Sequence, residues 1–531
     1  MGGGMSDLHE GTVTPRSWET PRLERLTTWD SDWAGLRVVV AGIGASGFSA
    51  ADTLIELGAT VVVVDALAGP GNEAKADTLR IVGVHDVLLG ADHVESLPLV
   101  DGAPADLVVP SPGWRPTHPL LTDAAASGIP VWGDVELAWR VRVRGGRPTA
   151  EGLTITGPNG KTPPVGLTES MLLAGGKRAV AAGNVGTPIL DVIRDPQGYD
   201  FLAVELSSFQ LHWAHSISPL ASVCLNVAED HVDWHGSYEA YLAAKASVYE
   251  RTRVACVYNV EQRETEAMVE EAEVVEGCRA VGFTTGMPSV SMMGVVEDLL
   301  VDRAFIEQRK DSAAELGAIR DLGEVVPRHL VANALAAAAL VRAAGLPSGA
   351  VRDGIRNFQP GEHRIQVVAN EAGVLWINDS KATNPHAASA SLASFRSVVW
   401  IAGGLSKGVS YDELVAAHAS RLKAVVLIGV DPEPLRTALS RYAPGVPVSL
   451  RPGTEDDGAG HRAEGPGTTT ADDPIRWAVT EAARLVEDGD TVLMAPAAAS
   501  MDQFTSYAHR GTAFMEAVRA LGGPSTNPEE P

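Results

Sequence analysis

The 531-residue chain has few cysteines and few aromatic residues, which make up only 5% of it. Its three cysteines are Cys224, Cys256 and Cys278, and none stands in CxxC spacing. Three cysteines cannot all be paired, which excludes a disulfide-stapled framework and a cysteine metal site. We therefore expect a reduced protein in the cytoplasm.

Positive charge is also scarce, because 42 Lys and Arg residues face 67 Asp and Glu residues for a net charge of −25. Phosphate backbones and anionic lipids would repel such a chain, which argues against nucleic-acid and membrane-surface partners. The N-terminus lacks the apolar stretch of a signal peptide. No apolar run reaches the roughly 20 residues that span a bilayer, so we expect no membrane insertion.

What the chain has is an alternation of strand-like and helix-like segments from Leu36 onwards, which predicts an α/β fold with parallel sheets. At about 150 residues per domain, the length allows three or four domains. We expect a disordered tail, three domains, a flexible insertion in the third and a second tail. The predicted ranges are 1–34, 35–146, 147–360, 361–522 (insertion 452–473) and 523–531.

A glycine-rich turn, Gly42 to Gly47, follows the first strand and opens a helix, and Asp65 ends the next strand. This arrangement places a phosphate group at a helix N-terminus and a carboxylate on a ribose. It predicts nucleotide or nucleotide-sugar binding. A tight turn that needs glycine only for packing is the alternative.

A second turn, Gly157-Pro158-Asn159-Gly160-Lys161-Thr162, also joins a strand to a helix. It is shorter than the GxxxxGK[ST] loop. Its lysine can still pair with phosphate, and its threonine hydroxyl can bind Mg²⁺. Pro163 and Pro164 follow and carry no N–H group, so two donors to phosphate are missing. Pro163 should also push Thr162 toward an extended conformation.

Three residues further along suggest a metal site near this loop. Glu205 ends an apolar strand, where a carboxylate often serves Mg²⁺, although a solvated carboxylate is the alternative. His231 lies in the acidic segment 229–235. Lys245 shares a helix face with Tyr241, and burial there would favour a neutral amine that reacts with CO₂ to form a carbamate. A lysine whose amine reaches solvent is the commoner case.

In the third segment, polar loops follow three predicted strands at 378–384, 403–408 and 495–500. Parallel strands present their carboxyl ends at one edge of the sheet, where ligands bind. Lysine and serine side chains on these loops favour an anionic ligand.

Taken together, the chain resembles the Mur ligase family from about residue 36 to 520, most closely its D-glutamate-adding members. The resemblance is carried by AGNVGTPIL (182–190), AVELSSFQL (203–211), 225–249, WINDSKATNP (376–385) and APAAASMDQFTSYAHRG (495–511). It implies a Rossmann-like N-terminal domain, a central domain of the P-loop ATPase type and a Rossmann-like C-terminal domain. It also implies a monomeric, ATP-dependent ligase of peptidoglycan synthesis that adds D-glutamate to UDP-N-acetylmuramoyl-L-alanine through an acyl phosphate.

The resemblance also implies residue roles. Lys161, His231, Lys245 and Lys381 would be catalytic. Mg²⁺ would be held by Thr162, Glu205, His231 and carbamylated Lys245. The ATP set would be Gly157, Asn159, Gly160, Lys161, Thr162, Asn333, Arg364 and Asp379, with His363 nearby. Uridine would be bound by Ser46, Gly47, Asp65 and Gly113. The rest of the sugar nucleotide would be bound by Asn184, Ser207 and Gln210. D-Glutamate would meet Thr383, Lys407, Ser500 and Tyr507.

The chain departs from the family pattern chiefly at Pro158, Pro163 and Pro164. One alternative is therefore a catalytically impaired homologue that binds the muramoyl substrate. A nicotinamide-dependent oxidoreductase would explain the first glycine-rich turn, but it leaves the other two segments without a role. Folylpolyglutamate synthase, which adds L-glutamate, is disfavoured by 376–385 and 495–511.

Overall fold

The computed structural model describes residues 20–158, 160–184, 186–323, 326–359, 361–406, 408–451 and 473–521. The chain divides into two compact units, Met1–Asp321 with Ala332–Phe358, and Leu322–Val331 with Gln359–Pro531. Two sheets lie in the first unit and one in the second. The mixed α/β architecture predicted from the sequence is confirmed.

The first sheet is parallel and has the order β3-β2-β1-β4. Its valine-rich central strands are buried, as expected for a sheet covered on both faces. The strands are β1 (Arg37–Ala41), β2 (Thr60–Asp65), β3 (Asp86–Leu89) and β4 (Leu107–Pro110). The helices are α1 (Pro21–Glu24), α2 (Ala45–Glu56), α3 (Pro70–Val82), α4 (Pro119–Ala126) and α5 (Asp134–Val141).

The second sheet has the order β13-β12-β11-β10-β9-β8-β5-β7-β6 and is parallel except at β11–β12 and β12–β13. Its strands are β5 (Glu151–Thr156), β6 (Ala179–Gly183), β7 (Phe201–Glu205), β8 (Ala221–Cys224), β9 (Ala255–Asn259), β10 (Arg279–Phe283), β11 (Met292–Val296), β12 (Leu299–Asp302) and β13 (Ala314–Ala318). Its helices are α6 (Thr162–Ala174), α7 (Ile189–Arg194), α8 (Ser208–His212), α9 (Val232–His235), α10 (Tyr238–Ala246), α11 (Arg263–Glu271), α12 (Arg328–Ala343) and α13 (Ser348–Asn357).

The third sheet has the order β14-β15-β19-β16-β17-β18, and β14 is its antiparallel strand. Its strands are β14 (Gln366–Glu371), β15 (Val374–Asn378), β16 (Val398–Gly403), β17 (Leu422–Ile428), β18 (Val448–Leu450) and β19 (Thr491–Met494). Its helices are α14 (Pro385–Leu392), α15 (Asp412–His418), α16 (Glu433–Tyr442), α17 (Pro474–Leu485) and α18 (Tyr507–Leu521).

The predicted N-terminal tail is wrong for residues 20–34. Leu23, Leu26 and Trp33 are buried, and α1 begins behind the capping hydroxyl of Thr20. These apolar side chains join the core of the first sheet, which repays the cost of ordering a polar-looking segment. Residues 1–19 and most of the predicted insertion and C-terminal tail lie outside the described residues. Among the residues that are described, no helix could cross a bilayer.

Candidate active site

Each sheet gathers polar loops at the carboxyl ends of its parallel strands. In the second sheet, β5 lies between β7 and β8, and the chain leaves β5 toward one side before returning to the other. Such a change of direction opens a crevice beyond the strand ends. The loop 157–161 follows β5 and therefore lies at this crevice.

The loop after β5 leads directly into α6, whose N-cap residue is Lys161. The ammonium group of Lys161 donates a hydrogen bond to the carbonyl oxygen of Pro158 at 3.2 Å. The side-chain amide of Asn333 on α12 donates to the carbonyl oxygen of Gly160 at 3.4 Å. Asn333 thus reaches the loop although it lies 173 residues away in the sequence. Asn159 lies outside the described residues.

Pro163 and Pro164 occupy the first turn of α6. The helix begins at Thr162, so the expected push of this residue away from helical geometry is not seen. First-turn amides have no partner within a helix, so prolines there leave the intrahelical ladder intact. Pro163 and Pro164 therefore leave the local fold intact. What the loop lacks is only the backbone N–H donors that would face outward from the helix N-terminus.

Glu205 ends β7 with only 2% of its surface exposed. Its carboxylate accepts a hydrogen bond from the Thr162 hydroxyl at 3.1 Å and one from the Asn184 side-chain amide at 3.0 Å. Glycine at position 183 lets the backbone before Asn184 lie close to that of Glu205, because a Cβ atom there would lie 2.3 Å from the Glu205 carbonyl oxygen. The carboxylate and the hydroxyl are oxygen donors of the kind that Mg²⁺ prefers.

Lys245, on α10, is 2% exposed and lies beneath the same loop. Its ammonium group donates to the Thr156 hydroxyl at 3.0 Å and to the Gly157 carbonyl oxygen at 2.9 Å. Burial, together with the nearby positive charge of Lys161, lowers the pKa of Lys245 to about 7. A large fraction of the amine is therefore neutral near pH 7, which is the nucleophilic form.

His231 precedes α9 in a left-handed conformation with φ of 52°. Its ring lies 4.7 Å from that of Phe209 between centroids, and its imidazole is 47% exposed. Across the described ranges, no group of three or more His, Cys, Asp or Glu side chains is arranged to hold a metal. The predicted Mg²⁺ set differs from such a cluster, since it includes a threonine hydroxyl and a modified lysine.

The first sheet holds the predicted uridine residues at one edge. The Asp65 carboxylate accepts hydrogen bonds from the backbone amides of Ile43 at 2.8 Å and Leu67 at 2.9 Å. Gly47 lets α2 pack on the loop, because a Cβ atom there would lie 1.9 Å from the Gly42 carbonyl oxygen. Gly113 is exposed in the turn after β4.

Ser207 and Gln210 form a reciprocal cap at the start of α8. The Gln210 backbone amide donates to the Ser207 hydroxyl, and the Ser207 backbone amide donates to the Gln210 side-chain oxygen, both at 3.1 Å. This cap fixes both side chains two to five residues beyond Glu205.

In the second unit, Asp379 is 7% exposed just beyond β15. Burial raises the pKa of Asp379 to about 6, although Ser391 and the backbone amide of Ile365 donate hydrogen bonds to its carboxylate and the nearby charge of Arg364 acts in the same direction. The pKa of His363 is lowered by burial, and its Nδ1 lies 2.9 Å from the amide nitrogen of Asn378.

The predicted D-glutamate residues come from loops at the carboxyl edge of the third sheet. The Lys381 ammonium group lies 3.9 Å above the centre of the Tyr507 ring. The Thr383 backbone amide donates to the Lys381 carbonyl oxygen at 2.8 Å, and Ser500 is buried at the end of the loop after β19. Lys407 lies outside the described residues.

Sequence reasoning missed two buried charged residues. Asp134 opens α5 and accepts a hydrogen bond from Gln210, and Arg510 donates to Ser380 and to the Ala498 carbonyl oxygen. Arg510 thereby joins the loops after β15 and β19. Each is next to a glycine, at Gly133-Asp134 and Arg510-Gly511, but the surrounding sequence gives no clear signal that these charges are buried.

Three family models match the chain in order: the Mur ligase MurD-like N-terminal domain at residues 36–133, the Mur ligase middle domain at 155–341 and the Mur ligase glutamate ligase domain at 363–498. The chain belongs to the Mur ligase family. The resemblance drawn from the sequence motifs is thus confirmed.

Relatives of high identity share one name, UDP-N-acetylmuramoylalanine–D-glutamate ligase. The protein of this name from Leifsonia xyli subsp. xyli is 51% identical over 94% of this chain and 96% of its own length. That from Streptomyces avermitilis is 52% identical over 93% of this chain and 100% of its own. A solved pseudomurein peptide ligase type C from Methanothermus fervidus shares the fold at 15% identity, with a TM-score of 0.52 over 91% of this chain and 100% of that one.

Proposed function

We propose that this chain joins D-glutamate to the L-alanyl carboxylate of UDP-N-acetylmuramoyl-L-alanine at the expense of ATP. The observation that carries this is the loop after β5, where Lys161, Thr162 and buried Glu205 meet at the switch point of the sheet. Relatives about half identical along more than nine-tenths of the chain support the choice of substrates. They give no support to the alternative of an impaired homologue.

The reaction has two steps. A carboxylate oxygen of the L-alanyl group attacks the γ-phosphorus of ATP, and ADP leaves with the electrons of the broken P–O bond. The D-glutamate amine then attacks the acyl phosphate carbon, loses a proton and expels phosphate. Both partners of the first step are anions, so Lys161 and Lys381 would offset charge and orient the phosphoryl group.

Magnesium fits the carboxylate and hydroxyl donors at the loop, and when bound it supplies charge neutralisation for the phosphate oxygens. Thr162 and Glu205 would hold it, with His231 and carbamylated Lys245 completing the set. The carbamate is part of the proposal: the neutral amine of Lys245 adds to CO₂ and releases a proton, giving a carboxylate ligand. The depressed pKa of Lys245 supports this step.

The remaining roles follow the loops. The residues proposed to contact ATP are Gly157, Asn159, Gly160, Asn333, Arg364 and Asp379. Lys407 would pair with a carboxylate of D-glutamate, and Thr383, Ser500 and Tyr507 would orient that substrate. Ser46, Gly47, Asp65, Gly113, Asn184, Ser207 and Gln210 would bind the sugar nucleotide. We place the reaction in the cytoplasm, where ATP and UDP-sugars are made. We also propose domains at 147–360 and 361–522, and a first domain that begins at residue 20 instead of 35 and ends at 146.

The test is phosphate release by the purified protein with ATP, Mg²⁺, bicarbonate and UDP-N-acetylmuramoyl-L-alanine. We expect release that depends on D-glutamate, and none when L-glutamate replaces it. A chain that releases phosphate equally with both amino acids, or with neither, would contradict the proposal. Growth in medium with ¹³C-bicarbonate and a carbamate resonance that is lost in Lys245→Arg would test the modification separately.

A further inference from the structure

Asp134 is a buried carboxylate that has no part in the mechanism above. It is the first residue of α5, and 4% of its surface is exposed. Its two carboxylate oxygens accept hydrogen bonds from the side-chain nitrogen of Gln210 at 3.2 and 3.4 Å. A buried carboxylate is costly to keep, so one that is held by an amide from a distant helix calls for an explanation.

The amide of Gln210 is engaged at both ends. Its oxygen accepts from the backbone amide of Ser207, and its nitrogen donates to Asp134. An amide with both ends occupied cannot turn over, because a flip would set donor against donor and acceptor against acceptor. Asp134 therefore fixes the orientation of the Gln210 amide, five residues along the chain from Glu205.

The Asp134 carboxylate also accepts a hydrogen bond from the backbone amide of Val135 at 3.0 Å. Burial raises the pKa of Asp134, and the hydrogen bonds from Gln210 and the Val135 backbone amide offset part of that rise. Gln210, on α8, is in the proposed sugar-nucleotide set. The buried carboxylate at the start of α5 thus contacts the cap of the helix that follows β7.

Hydrogen bonds tie residues on both sides of Asp134 to the segment that follows α8. The backbone amide of Gly133 donates to the Trp213 carbonyl oxygen at 3.0 Å, just beyond α8. The carboxylate of Glu136 accepts from the backbone amides of His215 and Ser216, each at 2.7 Å. The first turn of α5 is therefore anchored to the segment after α8, and Asp134 has little freedom to move away from Gln210.

We propose that Asp134 is a positioning residue for the sugar-nucleotide substrate, acting through Gln210. It orients the Gln210 amide before the ligand arrives, so that binding does not have to order that side chain. The inference rests on the proposed function, because it takes UDP-N-acetylmuramoyl-L-alanine as the ligand. It adds a residue to that site and assigns it to binding of this one substrate.

The experiment measures the dissociation constant of UDP-N-acetylmuramoyl-L-alanine without ATP for the full-length protein and for D134N, D134A, Q210A and D134A/Q210A. We expect binding about tenfold weaker in D134N, since loss of a hydrogen bond to a charged group is worth about that factor. The KM values for ATP and D-glutamate should stay within twofold. D134N keeps the size of the side chain if D134A fails to fold.

The double variant separates action through Gln210 from an independent effect. If Asp134 acts through Gln210, the dissociation constant of D134A/Q210A should lie within about twofold of that of the weaker-binding single variant. If the two residues act independently, the losses of the two single variants should multiply in the double variant. The control is Asp302→Asn, a fully buried carboxylate of β12 that accepts from the backbone amides of Ala304 and Phe305 and from the guanidinium group of Arg342. D302N should lower the melting temperature and leave nucleotide binding unchanged.

A dissociation constant of D134N within twofold of wild type would overturn the inference, and so would weakening of all three substrates alike. Multiplicative losses in the double variant would also overturn it. Wild-type protein that does not bind the nucleotide would overturn the proposed function and the inference together. If the wild-type protein binds the nucleotide and D134N binds it equally well, the inference about Asp134 is overturned and the proposed function is not.

Discussion

The hydroxyl of Thr162 donates a hydrogen bond to the carboxylate of Glu205 across 3.1 Å, joining the helix that follows β5 to the end of β7. Thr162 directly follows Lys161 in the chain, and the Glu205 carboxylate is almost fully buried. A buried carboxylate whose partners are neutral is suited to a cation. This pair is therefore the structural observation that most directly supports the proposed metal site.

Glu205→Gln should lower the turnover number by about 100-fold, because an amide neither balances the charge of Mg²⁺ nor accepts as strongly from Thr162. The measurement is phosphate release over a range of Mg²⁺ concentrations, and we expect higher Mg²⁺ to recover part of the loss. The control is Glu169→Gln on α6, whose carboxylate accepts from the Ala181 backbone amide. If E169Q lost as much activity as E205Q, the loss would report on packing around α6.

Lys245→Arg should lose more than about 100-fold in turnover number. The guanidinium group keeps its charge in proteins and forms no carbamate, so it would place a permanent cation beside Lys161. The comparison is with Lys75→Arg, a half-buried lysine on α3 that donates to the Ile43 carbonyl oxygen. Melting curves should show both variants folded, and a fully active K245R would refute the role given to Lys245.

Asp379→Asn should stabilise the protein at neutral pH while it weakens ATP binding. Burial raises the pKa of Asp379 from 3.8 to about 6, so the folded state holds this proton more tightly between those values. The resulting contribution to stability is present at low pH and is lost as pH rises through about 6. Above that pH the ionised carboxylate costs about 3 kcal/mol, an upper bound on the gain in D379N.

The measurement for Asp379 is urea unfolding at pH 7.5 and pH 4. The gain in D379N should be larger at pH 7.5. Asp490→Asn is a control of opposite sign: burial acts to raise the pKa of Asp490, but hydrogen bonds from Lys423 and Ser397 hold it below its usual value. D490N should therefore destabilise the protein at pH 7.5. A D379N gain that is equal at both pH values would argue against a buried charge.

Pro163→Thr/Pro164→Thr should lower the KM for ATP by about tenfold, because the change restores two backbone N–H groups where phosphate would bind and one hydrogen bond to a charged group is worth about 1.5–3 kcal/mol. The wild-type enzyme remains active in this prediction. Pro474→Thr, in the first turn of α17, is the matched control and should leave the KM unchanged. An unaltered KM in the double variant would mean that the phosphates do not use these amides.

The sequence predicts the parts of the site that follow from local order along the chain. A buried strand, a glycine-containing turn and a helix define the loop at Lys161, and the helical spacing of Tyr241 and Lys245 predicts their shared buried face. It does not predict pairs that only tertiary packing brings together. Gln210 meets Asp134 across 76 residues and Arg510 meets Ser380 across 130, and no spacing rule reaches so far.

The prediction of a disordered N-terminal segment was wrong at residues 20–34 for a related reason. Leu23, Leu26 and Trp33 are separated by polar residues, so composition alone indicates disorder. Their burial depends on the core that α5 completes, where the guanidinium group of Arg140 donates to the Leu23 carbonyl oxygen. A segment held by distant residues gives little signal in its own sequence.

The two prolines of α6 also act on the unfolded chain. A proline ring fixes one backbone dihedral before folding begins, so the denatured ensemble has fewer conformations to lose. At a position that already fits, this is worth about 0.4–1 kcal/mol for each residue. The loop that gives up two phosphate donors would thus gain thermal resistance at the start of α6, and a threonine pair there would exchange heat tolerance for nucleotide affinity.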